Sequence, residues 1–221
     1  MAVLGVDGWR GAWVGALLDG RSATLLALPD VAAVLSVPDV ELVAIDMPIG
    51  LSDDGVRACD VAARRLLVGA GSSVFPAPLR PVLACADHPA ACEVSREAAG
   101  KALSVQTWGL VPAIRALDDA LGDPPTERVV EMHPELAFRE LDRGFRARKG
   151  SARGAMQRRR ALRSVMDVEQ ALDTAPPGVP MVDALDACAA AWSARRLADG
   201  HGECVGDGSV DSRGRPMRIC W

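Results

Sequence analysis

Val43-Ala44-Ile45-Asp46-Met47-Pro48-Ile49-Gly50 opens as an apolar run rich in β-branched residues, which predicts a strand buried on both faces. The run ends at Asp46, and Pro48 just beyond it cannot donate a hydrogen bond to a sheet. An acid at this point has two interpretations. It is either a turn residue that bonds its own loop or a group aimed into the crevice beyond the carboxyl end of the strand.

The residues around this strand predict an α/β fold with a five-stranded mixed sheet. Three strand candidates joined by tight turns come first, at residues 3–6, 13–18 and 23–28. A short helix at 30–36 then forms a crossover, which makes the Asp46 strand a parallel neighbour of the first strand. Residues 129–132 supply the fifth strand. The predicted order is therefore 3-2-1-4-5, with the second strand antiparallel to the rest.

The chain length favours a single domain over residues 1–221, ending in a hairpin or tail from about residue 203. His133-Pro134-Glu135 begins one helix, because proline is tolerated in a first turn. Apolar periodicity predicts the remaining helices, over residues 53–67, 87–98, 103–121, 155–172 and 182–198.

Composition excludes several classes of protein. The chain is 49% hydrophobic and 24% charged, which argues against wholesale disorder. The first apolar run stops at Asp7 and is too short for a signal peptide or a membrane span, so we expect a cytoplasmic protein without a membrane partner. The six cysteines form no C-x-x-C pair, so neither a zinc ribbon nor a redox motif is indicated.

The charge is unevenly distributed along the chain. The net charge is -4, but residues 139–163 contain ten Arg or Lys against two acids, which leaves -12 on the remainder. This segment is either a solvated, salt-screened face or a surface that holds a nucleic-acid backbone. The candidate substrate-binding residues are Arg10, Lys101, Gln106 and His133 and, from this segment, Arg158 and Arg159.

Acids end three of the predicted parallel strands, at Asp7, Asp46 and Glu131. We expect them to converge, because the carboxyl ends of parallel strands meet at one edge of a sheet. Asp183 and Asp186 lie three residues apart on the last helix, and alanines small enough for close packing continue their face. Each acid taken alone also has a structural interpretation, as a turn, strand-end or helix-start residue.

Carboxylates that share a crevice repel one another unless a cation neutralises them, and all-oxygen sites suit Mg²⁺ or Mn²⁺. Such ions can activate water and stabilise the departing oxygen in phosphodiester hydrolysis. We therefore predict that Asp7, Asp46, Glu131 and Asp183 are catalytic and that metal ligands come from these acids and Asp186.

Several motifs between residue 5 and about residue 196 point to a known family. They are Gly5-Val6-Asp7-Gly8-Trp9-Arg10, Ala44-Ile45-Asp46-Met47-Pro48-Ile49-Gly50, Ser72-Ser73-Val74-Phe75-Pro76-Ala77-Pro78, Gly100-Lys101-Ala102-Leu103-Ser104, Glu131-Met132-His133-Pro134-Glu135 and Asp183-Ala184-Leu185-Asp186-Ala187. In these motifs the chain resembles the uncharacterised bacterial family called domain of unknown function 429. The resemblance implies a ribonuclease H-like fold and a predicted nuclease activity, with Asp7, Asp46, Glu131 and Asp183 as the acid set.

The leading hypothesis is therefore a metal-dependent phosphodiesterase that acts on nucleic acid, bound through residues 139–163. One alternative is a non-catalytic ribonuclease H-like binding module. Another is a phosphotransferase of the actin-like and sugar-kinase type, although those proteins close two such domains around ATP.

Overall fold

The structure is a computed structural model that describes residues 1–123, 126–144 and 147–221. The chain divides into two compact units, each with most of its residue contacts inside the unit. The sheet unit comprises residues 1–47, 128–203 and 220–221, and the helical unit comprises residues 48–127 and 204–219. The chain length alone predicts one domain and gives no sign of this division.

The five-stranded sheet has the predicted order, β3-β2-β1-β4-β5. Strand β2 is antiparallel to its neighbours β1 and β3, whereas β4 runs parallel to both β1 and β5. The prediction from the turns and the single crossover is therefore confirmed. The strands are β1 (Ala2–Trp9), β2 (Ala12–Asp19), β3 (Ser22–Leu28), β4 (Val40–Ile45) and β5 (Val129–Glu131).

Helices follow most of the predicted segments. They are α1 (Val31–Leu35), α2 (Ala58–Leu66), α3 (His88–Ala99), α4 (Val105–Ala120), α5 (Pro134–Leu141), α6 (Ala152–Leu162), α7 (Val168–Asp173) and α8 (Met181–Ala198). Two short 3₁₀ helices cover Gly71–Ser73 and Arg80–Ala84. Two short strands, β6 (Cys204–Val205) and β7 (Ile219–Cys220), pair with each other in a second, two-stranded sheet.

Two helix predictions need correction. The helix expected over residues 53–67 begins only at Ala58, because Ser52 accepts a hydrogen bond from the backbone of Gly55 and holds a bend there. The single helix expected over residues 155–172 is two helices, α6 and α7. Arg21 from the β2–β3 turn causes the break, since its side chain binds the carbonyl oxygens of Arg163 and Ser164.

Strand register assigns side chains to the two faces of the sheet. Side chains alternate along a strand, and paired residues of neighbouring strands project from the same face. Gly5 pairs with Ala44, and Ala44 pairs with Val130. Val6, Ile45 and Glu131 form the next paired row and therefore project from the opposite face.

Helix α8 packs directly on the Gly5 face. A β-carbon added to Gly5 would lie 1.9 Å from the backbone nitrogen of Ala191 and 2.3 Å from the carbonyl oxygen of Ala187. Ten residues of α8 are buried, and seven of them are alanines or a cysteine. The small-residue face predicted from the sequence thus allows backbone to approach backbone.

The helical unit has a core of its own, built from Leu79, Val82, Ala91 and Val111. Buried ion pairs tie its loops together. Arg57 and Asp60 lie 2.5 Å apart with side chains that are 2% exposed, so this pair is screened from water and holds α2 to the residues before it.

None of the helices in the described residues is both long and apolar enough to cross a membrane. The thiols of Cys59, Cys85, Cys92 and Cys188 are free.

The Gly5 contact leads to the first prediction. Gly5→Ala should lower the free energy of unfolding by about 3 kcal/mol or more, because the new methyl group overlaps backbone atoms that cannot rotate away. Gly8→Ala is the matched control, since a β-carbon at Gly8 meets nothing within 4 Å. Urea denaturation of both variants measures the difference. Equal stability of the two variants would show that α8 does not press on β1 in this way.

Candidate functional site

Asp7 and Asp46 project toward α8 from neighbouring parallel strands. Asp7 follows Gly5 by two residues on β1, so it shares the α8 face of the sheet. Asp46 follows β4 directly, and its backbone N–H donates to the carbonyl oxygen of Val6 at 2.9 Å. That hydrogen bond continues the parallel pairing by one residue and places Asp46 on the same face as Ala44 and Gly5.

Helix α8 supplies two further carboxylates. Asp183 lies in its first turn and is partly buried, and Asp186 lies one turn later and is fully buried. The spacing of three residues puts both on one helix face, as predicted. The contact of α8 with Gly5 brings this face over the ends of β1 and β4, because the alanines that touch Gly5 come directly after Asp186.

The four carboxylates form one electrostatic group. Burial is the main cause that raises the pKa of Asp7 well above its usual value, and the charges of Asp46, Asp186 and Asp183 raise it further. Burial also raises the pKa of Asp46 to about 7, although part of the residue remains accessible, and Asp186 and Glu135 contribute in the same direction. The pKa of Asp183 is raised by burial and by Asp186. This group is called the acid cluster below, and its members are Asp7, Asp46, Asp183 and Asp186.

One lysine opposes the repulsion within the acid cluster. The ammonium group of Lys149, from the loop between α5 and α6, forms an ion pair with Asp186. Its charge lowers the pKa values of Asp7, Asp46 and Asp183. Burial alone would lower the pKa of Lys149, but the charges of Asp186, Asp46 and Asp7 leave it above its ordinary value.

Arg158 does not have the role predicted from the sequence. We expected a substrate-binding side chain, but Arg158 is fully buried. Its guanidinium forms an ion pair with Glu135, lies 3.6 Å from Asp186 through Nε and stacks over Phe138 with Cζ 5.0 Å from the ring centre. Helix α6 turns Arg158 inward, whereas Arg159 is partly exposed and Arg160 is exposed.

Glu131 is separated from the acid cluster by the sheet register. It pairs with Ile45, one residue before Asp46, and therefore projects from the opposite face of the sheet. A position at the end of a strand does not determine from which face of the sheet the side chain projects, so the sequence left the faces of these three acids open. Glu135, from the first turn of α5, contributes to the raised pKa of Asp46.

The remaining predicted substrate-binding residues are dispersed. Arg10 is exposed in the β1–β2 turn, with a left-handed backbone (φ 48°). His133 is the N-cap residue of α5, but its side chain makes no capping hydrogen bond. Arg159 forms an ion pair with Glu169 at 3.0 Å. Lys101 and Gln106 belong to the helical unit, where both are exposed near the start of α4.

The acid cluster fits a divalent cation in the chemistry of its donors. Its groups are all carboxylates, which are the ligands that Mg²⁺ and Mn²⁺ prefer. A cation would also remove the repulsion that raises the pKa values of Asp7 and Asp46. As placed, the described residues contain no group of three acids, histidines or cysteines already gathered to hold a metal ion.

Comparison with known families supplies the identification. The sequence model of a family described as "Protein of unknown function (DUF429)" matches residues 5–210. The chain belongs to this family. The match covers the sheet strands, the acid cluster and the Arg-rich segment of residues 139–163, in agreement with the resemblance found in the motifs. No curated protein and no solved structure matches the chain significantly.

The sequence interpretation missed two residues of the site, Glu135 and Lys149. Glu135 lies within one of the family motifs, but it is not at the end of a strand, so the strand-end pattern did not include it among the acids of the site. Lys149 was counted only as part of the basic segment. A compositional signal could have singled it out, since only two of the 25 basic residues are lysines and the other is Lys101.

The raised pKa of Asp46 gives the second prediction. Between its ordinary pKa of 3.8 and its folded pKa of about 7, the folded chain holds a proton that the unfolded chain releases. The contribution of Asp46 to stability therefore falls as pH rises through this range. Asp46→Asn should make the decline shallower and should melt above the wild type at pH near 8, as followed by circular dichroism.

Asp19→Asn is the control for this experiment, because Asp19 is exposed at the end of β2. It should leave the pH dependence unchanged. A lower melting temperature of Asp46→Asn at pH near 8 would instead favour the interpretation of Asp46 as a turn residue.

Proposed function

We propose that the protein is a divalent-metal-dependent phosphodiesterase that acts on nucleic acid, with the acid cluster as its reaction centre. The observation that carries this proposal is the convergence of four carboxylates from β1, the end of β4 and α8, with raised pKa values on Asp7, Asp46 and Asp183. Carboxylates that are gathered in a buried site destabilise the folded state, and groups with pKa values shifted in this way are concentrated at functional sites. The family resemblance, which implies a ribonuclease H-like nuclease, agrees with it.

Asp7, Asp46, Asp183 and Asp186 are the carboxylates that would hold Mg²⁺ or Mn²⁺, and of these Asp186 also pairs with Lys149 and Arg158. A divalent ion at this position supplies charge stabilisation for a phosphoryl oxygen and a more acidic bound water. Asp7 and Asp46 are fixed by the backbone pairing of β1 and β4, so they form the rigid side of the site. Asp183, on the first turn of α8, forms the other side.

A non-catalytic nucleic-acid-binding module is the second candidate, and a specific observation favours it. Lys149 and Arg158 both pair with Asp186, so two cations of the chain already neutralise part of the charge that a metal would neutralise. In such a module the acids would be structural partners of these side chains, and added metal would not bind.

The third prediction tests the enzyme. The purified protein should cleave at least one of single-stranded RNA, single-stranded DNA, duplex DNA, an RNA–DNA hybrid or a branched junction when Mg²⁺ or Mn²⁺ is present. Asp7→Asn and Asp46→Asn should each reduce the rate by about 100-fold or more, because each removes a charged ligand from the reaction centre. End-labelled substrates resolved on denaturing gels measure the rates.

Asp19→Asn, prepared in parallel, should keep the wild-type rate. Equal cleavage by the wild type and Asp46→Asn would identify a contaminating nuclease and contradict the proposal. Absence of cleavage together with absence of metal binding would favour the non-catalytic module.

A basic cleft on α6 is the surface that we propose for the nucleic-acid backbone. Its volume is about 380 Å³, and its lining residues lie along one side of the helix. Arg160 lies 3.7 Å from Asp142, and Arg163 lies 2.6 Å from Glu169. Exposed pairs of this kind contribute little stability, so the arginines can exchange a carboxylate for a phosphate at small cost. The cleft is lined by Arg153, Met156, Gln157, Arg159, Arg160 and Arg163.

The cleft gives the fourth prediction. Changing Arg153, Arg160 and Arg163 together to Gln should weaken binding to RNA and DNA of any sequence. It should also lower the slope of log Kd against log salt concentration by about 2 to 3, since each lost phosphate contact removes about 0.7 to 0.9. Fluorescence anisotropy with labelled oligonucleotides, in the Asp46→Asn background to prevent cleavage, measures both effects. Arg158 is excluded because its burial would confuse binding with folding.

The matched control changes three exposed arginines of the helical unit, Arg65, Arg96 and Arg115, to Gln. This triple variant has the same net charge as the test variant. If both triple variants lose the same salt dependence, the effect comes from net charge, and α6 is not the contact surface. Residues 145 and 146 of the basic segment lie outside the described residues.

A further inference from the structure

Lys149 is in an unusual position for a lysine of this chain. The protein uses arginine almost everywhere, and Lys149 is one of only two lysines. Arg158, the other cation that pairs with Asp186, has a planar, fully buried guanidinium fixed by Glu135 and Phe138. The Lys149 side chain is 46% exposed, whereas the Asp186 side chain is not exposed at all. The ammonium therefore reaches a buried carboxylate from the solvent side.

The loop that carries Lys149 is fixed by hydrogen bonds to the start of α6. The Ser151 hydroxyl accepts from the backbone of Gly154 at 3.0 Å and donates to the carbonyl oxygen of Arg148 at 2.8 Å. The backbone of Ala147 donates to the Gln157 side chain at 3.1 Å. The residues on both sides of Lys149 are thus anchored, and the lysine side chain, with its rotatable bonds, is the element that can move.

The acid cluster pairs with one half-exposed cation, Lys149, and one fully buried cation, Arg158. A divalent ion would bind more weakly while both cations stay at the cluster, because the ammonium of Lys149 would lie next to the ion and repel it. An ammonium at the end of a flexible, half-exposed stem is easily withdrawn into water, unlike the buried guanidinium of Arg158.

We propose that Lys149 is the built-in counter-ion of the acid cluster and that a divalent cation binds by displacing its ammonium from Asp186. The lysine then holds the carboxylates together while metal is absent, and metal binding releases it toward solvent next to the cluster. This inference rests on the proposed metal-binding function and goes beyond it by assigning a role to a residue outside the set of acids.

The consequence is a competition that can be measured with Mn²⁺ alone. Lys149→Met removes the competing charge and keeps the length of the side chain, so it should bind Mn²⁺ about tenfold or more tightly than the wild type. Lys149→Arg keeps the charge and should bind no more tightly than the wild type. Isothermal titration calorimetry at one fixed pH and ionic strength gives the three affinities.

Arg148→Met is the control for this titration, since it removes one positive charge from an exposed position next to Lys149. It should leave the Mn²⁺ affinity close to that of the wild type. A similar gain in Arg148→Met and Lys149→Met would show a general charge effect and overturn the displacement.

Chemical labelling tests the wild-type chain directly and does not depend on the folding of a variant. An amine-reactive acetylating reagent should modify Lys149 slowly without metal, because its ammonium is held by Asp186. Mn²⁺ should increase this rate, whereas Lys101, which is exposed in the helical unit, should react at the same rate with and without metal. Mass spectrometry separates the two sites, so Lys101 serves as an internal reference.

The outcomes separate this inference from the proposed function. Equal or weaker Mn²⁺ binding by Lys149→Met, with no change in Lys149 labelling, would overturn the displacement while leaving the metal site intact. Absence of Mn²⁺ binding in every variant would overturn both proposals. Tighter binding by Lys149→Met together with metal-dependent labelling of Lys149 supports both.

Discussion

The contact between Gly5 and the alanine face of α8 is the constraint on which the candidate site depends. Only a residue without a β-carbon lets the backbone of β1 approach the backbone of α8 so closely, as the 1.9 Å separation between an added β-carbon and Ala191 shows. The same approach carries Asp183 and Asp186 over the ends of β1 and β4. A larger residue at position 5 would move the helix away and separate the acids of the helix from those of the strands.

Close packing of this kind has an electrostatic cost, since it gathers like charges in a region that water reaches poorly. Burial and mutual repulsion raise the pKa values of Asp7 and Asp46. The chain reduces this cost with two cations from the segment after α5, Lys149 and Arg158. The two cations differ in exposure, since the Arg158 side chain is fully buried whereas the Lys149 side chain is 46% exposed, and the proposed displacement assigns release to Lys149 for this reason. The basic segment therefore has two parts, one that faces the acids and one that faces solvent on α6.

The features that the sequence predicts correctly are patterns within one segment or between segments adjacent in the chain. The meander, the single crossover and the alanine-rich last helix are local patterns, and the order β3-β2-β1-β4-β5 followed from them. The features that it does not predict depend on the register or packing of two elements distant in the chain. Glu131 ends its strand as Asp7 and Asp46 do, yet the register turns it to the other face. Likewise, three successive arginines on α6 look alike in sequence, and only packing against Glu135 and Phe138 buries Arg158.

The sequence by itself predicted the fold class, the strand order and the family. It also singled out all four acids of the cluster, two from their position at strand ends and two from their shared face of α8. These follow from hydrophobic periodicity and turn chemistry, which are properties of short segments. The tertiary structure decided which charges meet: it excluded Glu131 from the Asp7 face, added Glu135 and Lys149, and buried Arg158. The physical reason is that periodicity fixes the faces of one element, whereas register and packing between elements depend on contacts distant in sequence.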